Sequence, residues 1–473
     1  PGPGLLNASA GLATAYACSS AVLCVTGQID SRAIDGGYGL LHEIPHQDRV
    51  LASVTKWSGR PLAPAEIPSL VAEAFLRVRS GRPRPVALEV PLDVLQRSEP
   101  VTLVPAAAFA SPALDEDALR QAADLLRRAE RPVLYSGGGT LAAAAWAELQ
   151  ALAELLEAPV VMSVDGRGAL SDRHDLAHTG LTGQTLVHEA DVVLGVGTRF
   201  WQPARVWGIS EGAVGVKVIR IDADADEIAR LGAPDVAIVG DARPALARLH
   251  ELLDGLPPRP SRRQELRARK VAAQARLEAF QPQAAFSRAL RAAIPDQGIT
   301  VNDLTQVTFF GTVGFPVYEP RTFIGPGYQG TLGSAFATSL GAQVGQPDRP
   351  VVAVAGDGGY LYTLAELATQ RQHNLPVVSV VFNDGAFGNV KRTQEQVFGG
   401  RLIASDLVNP DFVALGRSFG LDAERVDSPA ALQSALSCAL AARRPSLIEV
   451  SVGPMSNVWP VLFQAGGVYP LTL

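Results

Sequence analysis

The chain alternates between short apolar runs and longer stretches in which polar and apolar positions follow a helical spacing. One clear case is the apolar run 351–355, which ends at Gly356-Asp357-Gly358. An amphipathic stretch follows over 361–373, and a second apolar run over 377–382 leads into Asn383-Asp384-Gly385. This order predicts a strand, a helix and a parallel strand, joined by a crossover that is almost always right-handed.

The same alternation recurs in three blocks, at 1–98, 112–254 and 284–473, separated by a Pro/Ala-rich stretch (99–111) and a charged segment (255–283). We therefore predict an α/β protein with three doubly wound parallel-sheet domains. In the first block we expect helices near 7–18 and 66–80 and strands at 21–27 and 85–90. Because this block opens on a bare Gly-Pro-rich turn, we expect the first domain to be incomplete at its N-terminus in this sequence.

Two acidic residues follow the two apolar runs of the opening unit. Asp357 and Asp384 are 27 positions apart, which is the length of one crossover. The carboxyl ends of parallel strands share one edge of the sheet, so both carboxylates can converge on one hard cation near a phosphate. Two alternatives are a pair of solvated turn aspartates and the acidic residue of a P-loop enzyme; the second is excluded because the chain has no GxxxxGK[ST].

Composition narrows the class of protein without identifying it. The 473 residues are 47% hydrophobic, carry a net charge of −6 and show no basic cluster, so we expect neither a nucleic-acid nor a membrane partner. The three cysteines have no metal-ligand spacing, which is typical of a reducing compartment and predicts a cytoplasmic protein.

The GDG triplet followed by the Asn-Asp pair resembles the thiamine-diphosphate-binding motif of the decarboxylase and acetolactate-synthase superfamily. Other segments resemble acetolactate-synthase-like and benzaldehyde-lyase-like enzymes in the same order: PGPGLLN (1–7), VLCVTGQ (22–28), SVTKW (53–57), SGRPRPVALEVPLDV (80–94), VNDLTQ (301–306), GYQGTLGSAFATSLGAQV (327–344) and AFGNVKRTQ (386–394). The resemblance implies pyrimidine-binding (1–98), central (112–254) and diphosphate-binding (284–473) domains. It also implies thiamine diphosphate, Mg²⁺ and a homodimer or homotetramer.

The resemblance assigns roles to individual residues of this chain. The metal would be held by Asp357, Asp384 and the backbone carbonyl of Ala386. His42 stands where acetolactate synthases carry Gln, facing the reacting carbon, so we expect it to be catalytic. The family's catalytic Glu would precede Pro1. The expected cofactor contacts are Pro3, Asn7, Leu304, Thr305, Gln306, Gly330, Leu332, Gly356, Asp357, Gly358, Gly359, Asp384, Ala386 and Phe387.

Within that set, Leu332 would be the apolar wedge that keeps thiamine bent, or else a core leucine.

In the central block the resemblance suggests FAD, with contacts at 137–139, 166–168, 197–199 and Asp222, although such Gly turns are also needed merely to join strands to helices. His174 and His178 have the spacing of a metal pair but no third ligand, so we interpret them as surface loop residues.

One further motif points to a different class of enzyme. Gly325–Gly330 fits GxGxxG and has Asp348 about 18 residues on, as a nicotinamide dehydrogenase would require. Pro326 lacks the N–H that such a turn presents to a pyrophosphate, so we interpret the motif as a chance match.

The leading functional hypothesis is a thiamine-diphosphate-dependent carboligase or lyase that forms or cleaves C–C bonds of 2-oxo acids or 2-hydroxy ketones. The alternatives within enzymes are a simple 2-oxo acid decarboxylase and a flavin-linked oxidase. An alternative of another class is an inactive nucleotide-binding or regulatory subunit, which the missing glutamate suggests.

Overall fold

The computed structural model describes residues 1–105, 112–209 and 215–464. The chain divides into two compact units, Pro1–Ala113 with Pro326–Thr331 and Leu114–Gly325 with Leu332–Leu473. Part of the expected first linker, 106–111, lies outside the described residues. Among these residues, no helix combines the length and the apolar character that crossing a membrane requires.

The first unit contains a three-stranded parallel sheet whose central strand is buried along its whole length. Its strands, in the spatial order β1-β3-β2, are β1 (Leu23–Gln28), β2 (Ser58–Gly59) and β3 (Val86–Pro91). Its helices are α1 (Pro3–Ala17), α2 (Gln47–Val54), α3 (Ile67–Arg79) and α4 (Leu92–Gln96). The two helices and two strands predicted for 1–98 are all present.

The second unit contains two six-stranded sheets in which every pairing is parallel. The first has the order β6-β5-β4-β7-β8-β9. Its strands are β4 (Pro132–Ser136), β5 (Val160–Met162), β6 (Ala177–Thr179), β7 (Val192–Val196), β8 (Lys217–Asp222) and β9 (Val236–Val239). The helices around it are α5 (Glu116–Arg128), α6 (Gly138–Ala142), α7 (Trp146–Leu156), α8 (Gly180–His188), α9 (Ala225–Ala229) and α10 (Ala242–Leu252).

The other sheet of this unit has the order β11-β10-β12-β13-β15-β14. Its strands are β10 (Ile299–Asn302), β11 (Phe323–Ile324), β12 (Val351–Gly356), β13 (Val378–Asn383), β14 (Asp422–Val426) and β15 (Ser446–Ser451). The accompanying helices are α11 (Arg263–Leu277), α12 (Gln283–Ala293), α13 (Gln306–Gly314), α14 (Ser334–Gly345), α15 (Asp357–Thr363), α16 (Leu367–Gln372), α17 (Gly388–Gln396), α18 (Phe412–Ser418), α19 (Pro429–Ala442) and α20 (Trp459–Gln464).

The continuous apolar runs of β12 and β13 arise because both faces of this sheet are covered by helices. Val352 and Val354 pack in a cluster with α12 and α19, whereas Val351 and Ala353 pack in another cluster with α14 and α18. Successive residues of a strand point to opposite faces, so the whole run has to be apolar. The predicted doubly wound α/β fold is confirmed, while the three domain boundaries stay a prediction.

The interpretation of both histidines as surface loop residues was wrong for His178. This residue lies in β6, is 2% exposed, and its Nδ1 is 2.9 Å from the hydroxyl of Thr182. Burial and the nearby positive charges of Lys270 and Arg269 lower its pKa to about 3. In the sequence this histidine stands between two small residues. That pattern does not indicate that the short edge strand β6 is buried.

The lowered pKa of His178 should make the chain sensitive to acid. Between about pH 6.5 and 3 the unfolded chain binds a proton here that the native protein does not, so stability falls as pH falls. The His178→Asn variant should show a flatter decline in melting temperature from pH 7 to pH 4. The exposed His188→Asn in α8 is the control, and equal slopes in both variants would contradict the assignment.

Candidate active site

A single pocket at the carboxyl edge of β10, β12 and β13 collects most of the residues expected to bind the cofactor. The register pairs Gly356 with Phe382, so β12 and β13 end side by side. The predicted residues that line this pocket are Leu304, Thr305, Gln306, Leu332, Gly356, Asp357, Gly358, Gly359, Asp384, Ala386 and Phe387. The parallel register therefore produces the convergence that the spacing of the two aspartates predicted.

The two aspartates are held by backbone N–H groups of the turns that carry them. Asp357 is 2% exposed; its Oδ1 accepts a hydrogen bond from Gly358 N at 2.8 Å and its Oδ2 accepts one from Gly385 N at 2.9 Å. Asp384 lies at the rim, where its Oδ1 accepts from Ala386 N at 3.3 Å. The turn after β13 is thus tied directly to the carboxylate at the end of β12.

The charges at this edge favour a bound cation. Burial raises the pKa of Asp357, and partial burial together with the neighbouring Asp357 carboxylate raises the pKa of Asp384. Both effects disfavour two negative charges in one place, and a positive ion between them would remove the conflict. The two carboxylates supply oxygen donors, which suit a hard cation such as Mg²⁺.

The N-terminus of α13 also lines the pocket, through Thr305 and Gln306. The Thr305 hydroxyl accepts from Val307 N at 3.1 Å, and Thr308 completes a capping box with the Thr305 backbone. The Gln306 side chain accepts from Arg392 Nη1 at 2.9 Å. The dipole of a helix places partial positive charge at its N-terminus, so this part of the pocket suits phosphate oxygens.

The buried carboxylate of Asp303 connects several backbone segments that line the pocket. Asp303 is 2% exposed; it accepts from Leu304 N at 2.7 Å and from Gly333 N at 2.9 Å, and a side chain on Gly359 would come 3.1 Å from its Oδ2. The Gly333 carbonyl in turn accepts from the Thr363 hydroxyl at 2.9 Å. These bonds fix the backbone on both sides of Gly333 and so fix the position of Leu332 in the pocket.

Comparisons with known proteins agree with this geometry. Residues 119–249 match the family model described as thiamine pyrophosphate enzyme, central domain, and residues 303–450 match the C-terminal TPP binding domain. A probable 2-ketoarginine decarboxylase of Pseudomonas aeruginosa is 36% identical over 89% of this chain and 76% of its own length. The acetolactate synthase large subunit of Parasynechococcus marenigrum is 34% identical over 98% and 77%, and that of Escherichia coli isozyme 3 is 30% identical over 99% and 85%.

The chain belongs to the thiamine pyrophosphate enzyme family. It is a thiamine-diphosphate-dependent enzyme of the carboligase and decarboxylase class, as its resemblance to acetolactate synthases implied.

The nicotinamide dehydrogenase alternative has no support in the fold. The GxGxxG segment forms a 3₁₀ turn at Gly327–Gln329, and α14 begins only at Ser334.

The remaining residues assigned by the family resemblance lie in the first unit. Pro3, Asn7, His42 and Gly330 are all exposed there. The PGPG loop reaches the histidine, because a side chain on Gly2 would come 2.3 Å from the carbonyl oxygen of His42. The Thr331 hydroxyl, next to Gly330, is 2.7 Å from that of Thr14. The catalytic Glu expected before Pro1 stays a prediction.

Sequence reasoning missed four polar residues that support this thiamine pyrophosphate enzyme's pocket: Asp303, Arg392, Asn409 and Glu449. Asn409 is the clearest case, since its Nδ2 donates to Asp357 Oδ2 at 2.7 Å. In the sequence, Asn409-Pro410 is typical of a turn and carries no sign of a site. Within the described residues, no group of three His, Cys, Asp or Glu side chains is arranged to hold a metal ion.

The left-handed backbone at Gly333 gives a direct test of the clamp around Leu332. Its φ is +86°, and an added Cβ would lie 2.7 Å from Tyr362 Cβ and 2.8 Å from the Gly359 oxygen. The Gly333→Ala variant should lose about 1–2 kcal/mol from the backbone alone, and more from the overlap. Its melting temperature should fall and its affinity for thiamine diphosphate should weaken.

Gly341→Ala in the same helix, α14, is the matched control. An added Cβ there meets nothing within 4 Å, so the change should be neutral or stabilising by up to about 1 kcal/mol. A Gly333→Ala protein as stable as the control, with unchanged cofactor affinity, would show that the clamp does not matter.

Proposed function

We propose that Asp357, Asp384 and the backbone carbonyl of Ala386 bind Mg²⁺, and that this ion holds the diphosphate of the cofactor against the N-terminus of α13. The single observation that carries the proposal is that two carboxylates with raised pKa values line one pocket together with the capped N-terminus of α13. The oxygen donors suit the ion, and the positive end of the α13 dipole, at Gln306, suits the phosphates.

When bound, thiamine diphosphate supplies the electron sink for cleaving and forming bonds next to a carbonyl carbon. The residues of this chain bind and orient it. Leu332, fixed by the clamp at Gly333, would press on the middle of the cofactor and keep it bent. The apolar side chains of Phe309 and Val390 in the pocket lining would exclude water from its surroundings.

We further propose that Pro3, Asn7 and the carbonyl of Gly330 contact the aminopyrimidine, and that His42 faces the reacting carbon. An imidazole there can hydrogen-bond a carbonyl or act as a general acid or base. The exposure of Pro3, Asn7 and His42 agrees with a site completed by a second copy of the chain, so we expect a homodimer or homotetramer. Light scattering under assay conditions measures the oligomeric state. A monomer that turns over substrate would contradict the expected homodimer or homotetramer.

The proposed substrate is a 2-oxo acid, which loses CO₂ and whose remaining acyl group is released or joined to a second carbonyl compound. The names of the two kinds of relative support this: one is a probable 2-ketoarginine decarboxylase, and the others are acetolactate synthases. By the family resemblance His42 stands where acetolactate synthases carry Gln, and this side chain is the candidate that separates the two outcomes.

The glycine turns of the central sheet do not fit a flavin. Gly137 N donates to Val196 O at 2.9 Å and Gly139 N to Gly197 O at 2.8 Å, so these groups are not available to a diphosphate. An added Cβ on Gly137 would come 2.3 Å from Gly197 O, which shows that the two turns pack on each other.

The side chain of Arg167, in the candidate turn 166–168, also makes its hydrogen bonds within the protein. Arg167 is 1% exposed and donates to Asp172 and to the carbonyls of Thr312 and Phe315. These contacts argue against FAD at these turns and against a flavin-linked oxidase, and no step of the proposed reaction uses a flavin.

Thiamine diphosphate with Mg²⁺ should raise the melting temperature of the full-length protein. At a hundredfold excess over Kd the gain is about 2.7 kcal/mol. Asp357→Ala should abolish it, because the ion loses a ligand, whereas Asp348→Ala in an exposed turn should retain it. An equal rise in wild type and Asp357→Ala, measured by differential scanning fluorimetry, would disprove the cation assignment.

Product analysis tests the reaction itself. With both cofactors present, we expect CO₂ from pyruvate or 2-ketoarginine, and a 2-hydroxy ketone when an acceptor aldehyde is added. His42→Gln should shift the ratio of released to ligated product and leave cofactor binding unchanged. If the cofactors bind but a panel of 2-oxo acids yields neither CO₂ nor ligated product, the inactive-subunit alternative becomes the better account.

A further inference from the structure

A chain of partly buried side-chain hydrogen bonds connects Asp357 to β15. Asn409 Nδ2 donates both to Asp357 Oδ2 at 2.7 Å and to Asn383 Oδ1 at 2.9 Å. Asn383 Nδ2 then donates to Glu449 Oε1 at 2.9 Å. Glu449 is 2% exposed and belongs to β15, the strand next to β13 in the sheet.

The orientation of each amide in this chain is determined by its neighbours. Glu449 Oε2 accepts from Arg425 Nε at 3.0 Å, and a carboxylate paired with a guanidinium can only accept hydrogen bonds. Asn383 must therefore turn its NH₂ toward Glu449 and its oxygen toward Asn409, where Gly385 N also donates to it at 3.2 Å. Asn409 must then direct its NH₂ to Asp357.

The consequence for Asp357 is a distinction between its two oxygens. Oδ2 accepts from both Gly385 N and Asn409 Nδ2, so both of its lone pairs are used. Oδ1 accepts from Gly358 N and keeps a lone pair for another partner. These three hydrogen bonds fix the rotation of the carboxylate and leave an acceptor position on Oδ1.

We propose that Glu449, Asn383 and Asn409 form a positioning relay that makes Asp357 a ligand through Oδ1 alone. This inference rests on the proposed Mg²⁺ site and specifies how the chain organises it. None of the three relay residues needs to touch the ion. Partners behind a metal ligand commonly change metal affinity by about 10–100-fold when they are removed.

The relay predicts a specific effect of the Glu449→Gln variant on affinity for the ion. A glutamine has one oxygen and cannot accept from both Arg425 and Asn383. The guanidinium is the stronger donor, so the Gln oxygen should face Arg425 and its NH₂ should oppose the NH₂ of Asn383. Asn383 and Asn409 then lose their fixed orientation, and affinity for the ion should fall about tenfold or more.

Arg425→Met is the matched control, because it breaks the same ion pair and leaves Glu449 with two acceptor oxygens. Arg425 is half exposed, so water can replace it at the carboxylate. The double variant Glu449→Gln/Arg425→Met frees the glutamine oxygen to face Asn383, so affinity should return toward the wild-type value. A purely structural role for the ion pair predicts no such rescue.

Binding of Mn²⁺ in saturating thiamine diphosphate, followed by EPR of the free ion, measures this without turnover. We expect weakening in Glu449→Gln, a near wild-type affinity in Arg425→Met and rescue in the double variant. Equal affinity in Glu449→Gln and wild type, or no rescue, would overturn the relay. If the wild type itself binds no Mn²⁺ with the cofactor, the proposed cation site fails instead.

Should Glu449→Gln not fold, Asn409→Ala tests the other end of the relay. Asn409 is half-buried in a loop, and its removal leaves the Glu449–Arg425 pair intact. This variant should bind Mn²⁺ about tenfold more weakly than wild type, or weaker still. An unchanged affinity would overturn the relay by itself.

Discussion

The structure of the pocket depends on the electrostatic conflict between Asp357 and Asp384. Parallel pairing of β12 with β13 brings both carboxylates to one edge, where burial raises the pKa of each and the Asp357 carboxylate further raises the pKa of Asp384. A divalent cation resolves that conflict, and the surrounding donors from Gly385, Asn409 and Ala386 reduce it. The charges at this edge therefore favour a bound cation.

The fold and the main features of the pocket were predictable from the sequence because they depend on local patterns. Continuous apolar runs predicted strands covered on both faces, and the 27-residue spacing predicted that Asp357 and Asp384 would meet. The turn before α13 was identified from the family motif at 301–306. These features need only the register of one sheet, which the crossover rule supplies.

The residues that sequence reasoning missed are those whose role arises from long-range packing. Asn409 reaches Asp357 from 52 positions away, and Glu449 lies 66 positions beyond Asn383. Neither stands in a motif that carries chemistry, because an Asn before a Pro is common in turns and a Glu in an apolar strand often forms an ion pair. His178 was misplaced for a similar reason, since its burial depends on how β6 packs in the sheet.

Glycines that follow a strand have different roles in the two six-stranded sheets. In the sheet that contains β12, they line an open pocket together with carboxylates. In the sheet that contains β4, Gly137 and Gly139 allow two turns to pack backbone against backbone, and their N–H groups are used within the protein. A glycine turn alone therefore does not distinguish a ligand site from a simple connection between a strand and a helix, whereas the acidic residues beside it do.

The most direct test of the account is whether Mg²⁺ and thiamine diphosphate bind interdependently. Isothermal titration calorimetry of the cofactor into the purified full-length protein, with and without Mg²⁺, measures this. We predict one cofactor per site and an affinity that rises steeply with Mg²⁺ concentration, because in the proposed site Asp357 and Asp384 would hold the ion that the diphosphate needs. Binding of equal strength in Mg²⁺ and in excess chelator would contradict the central claim.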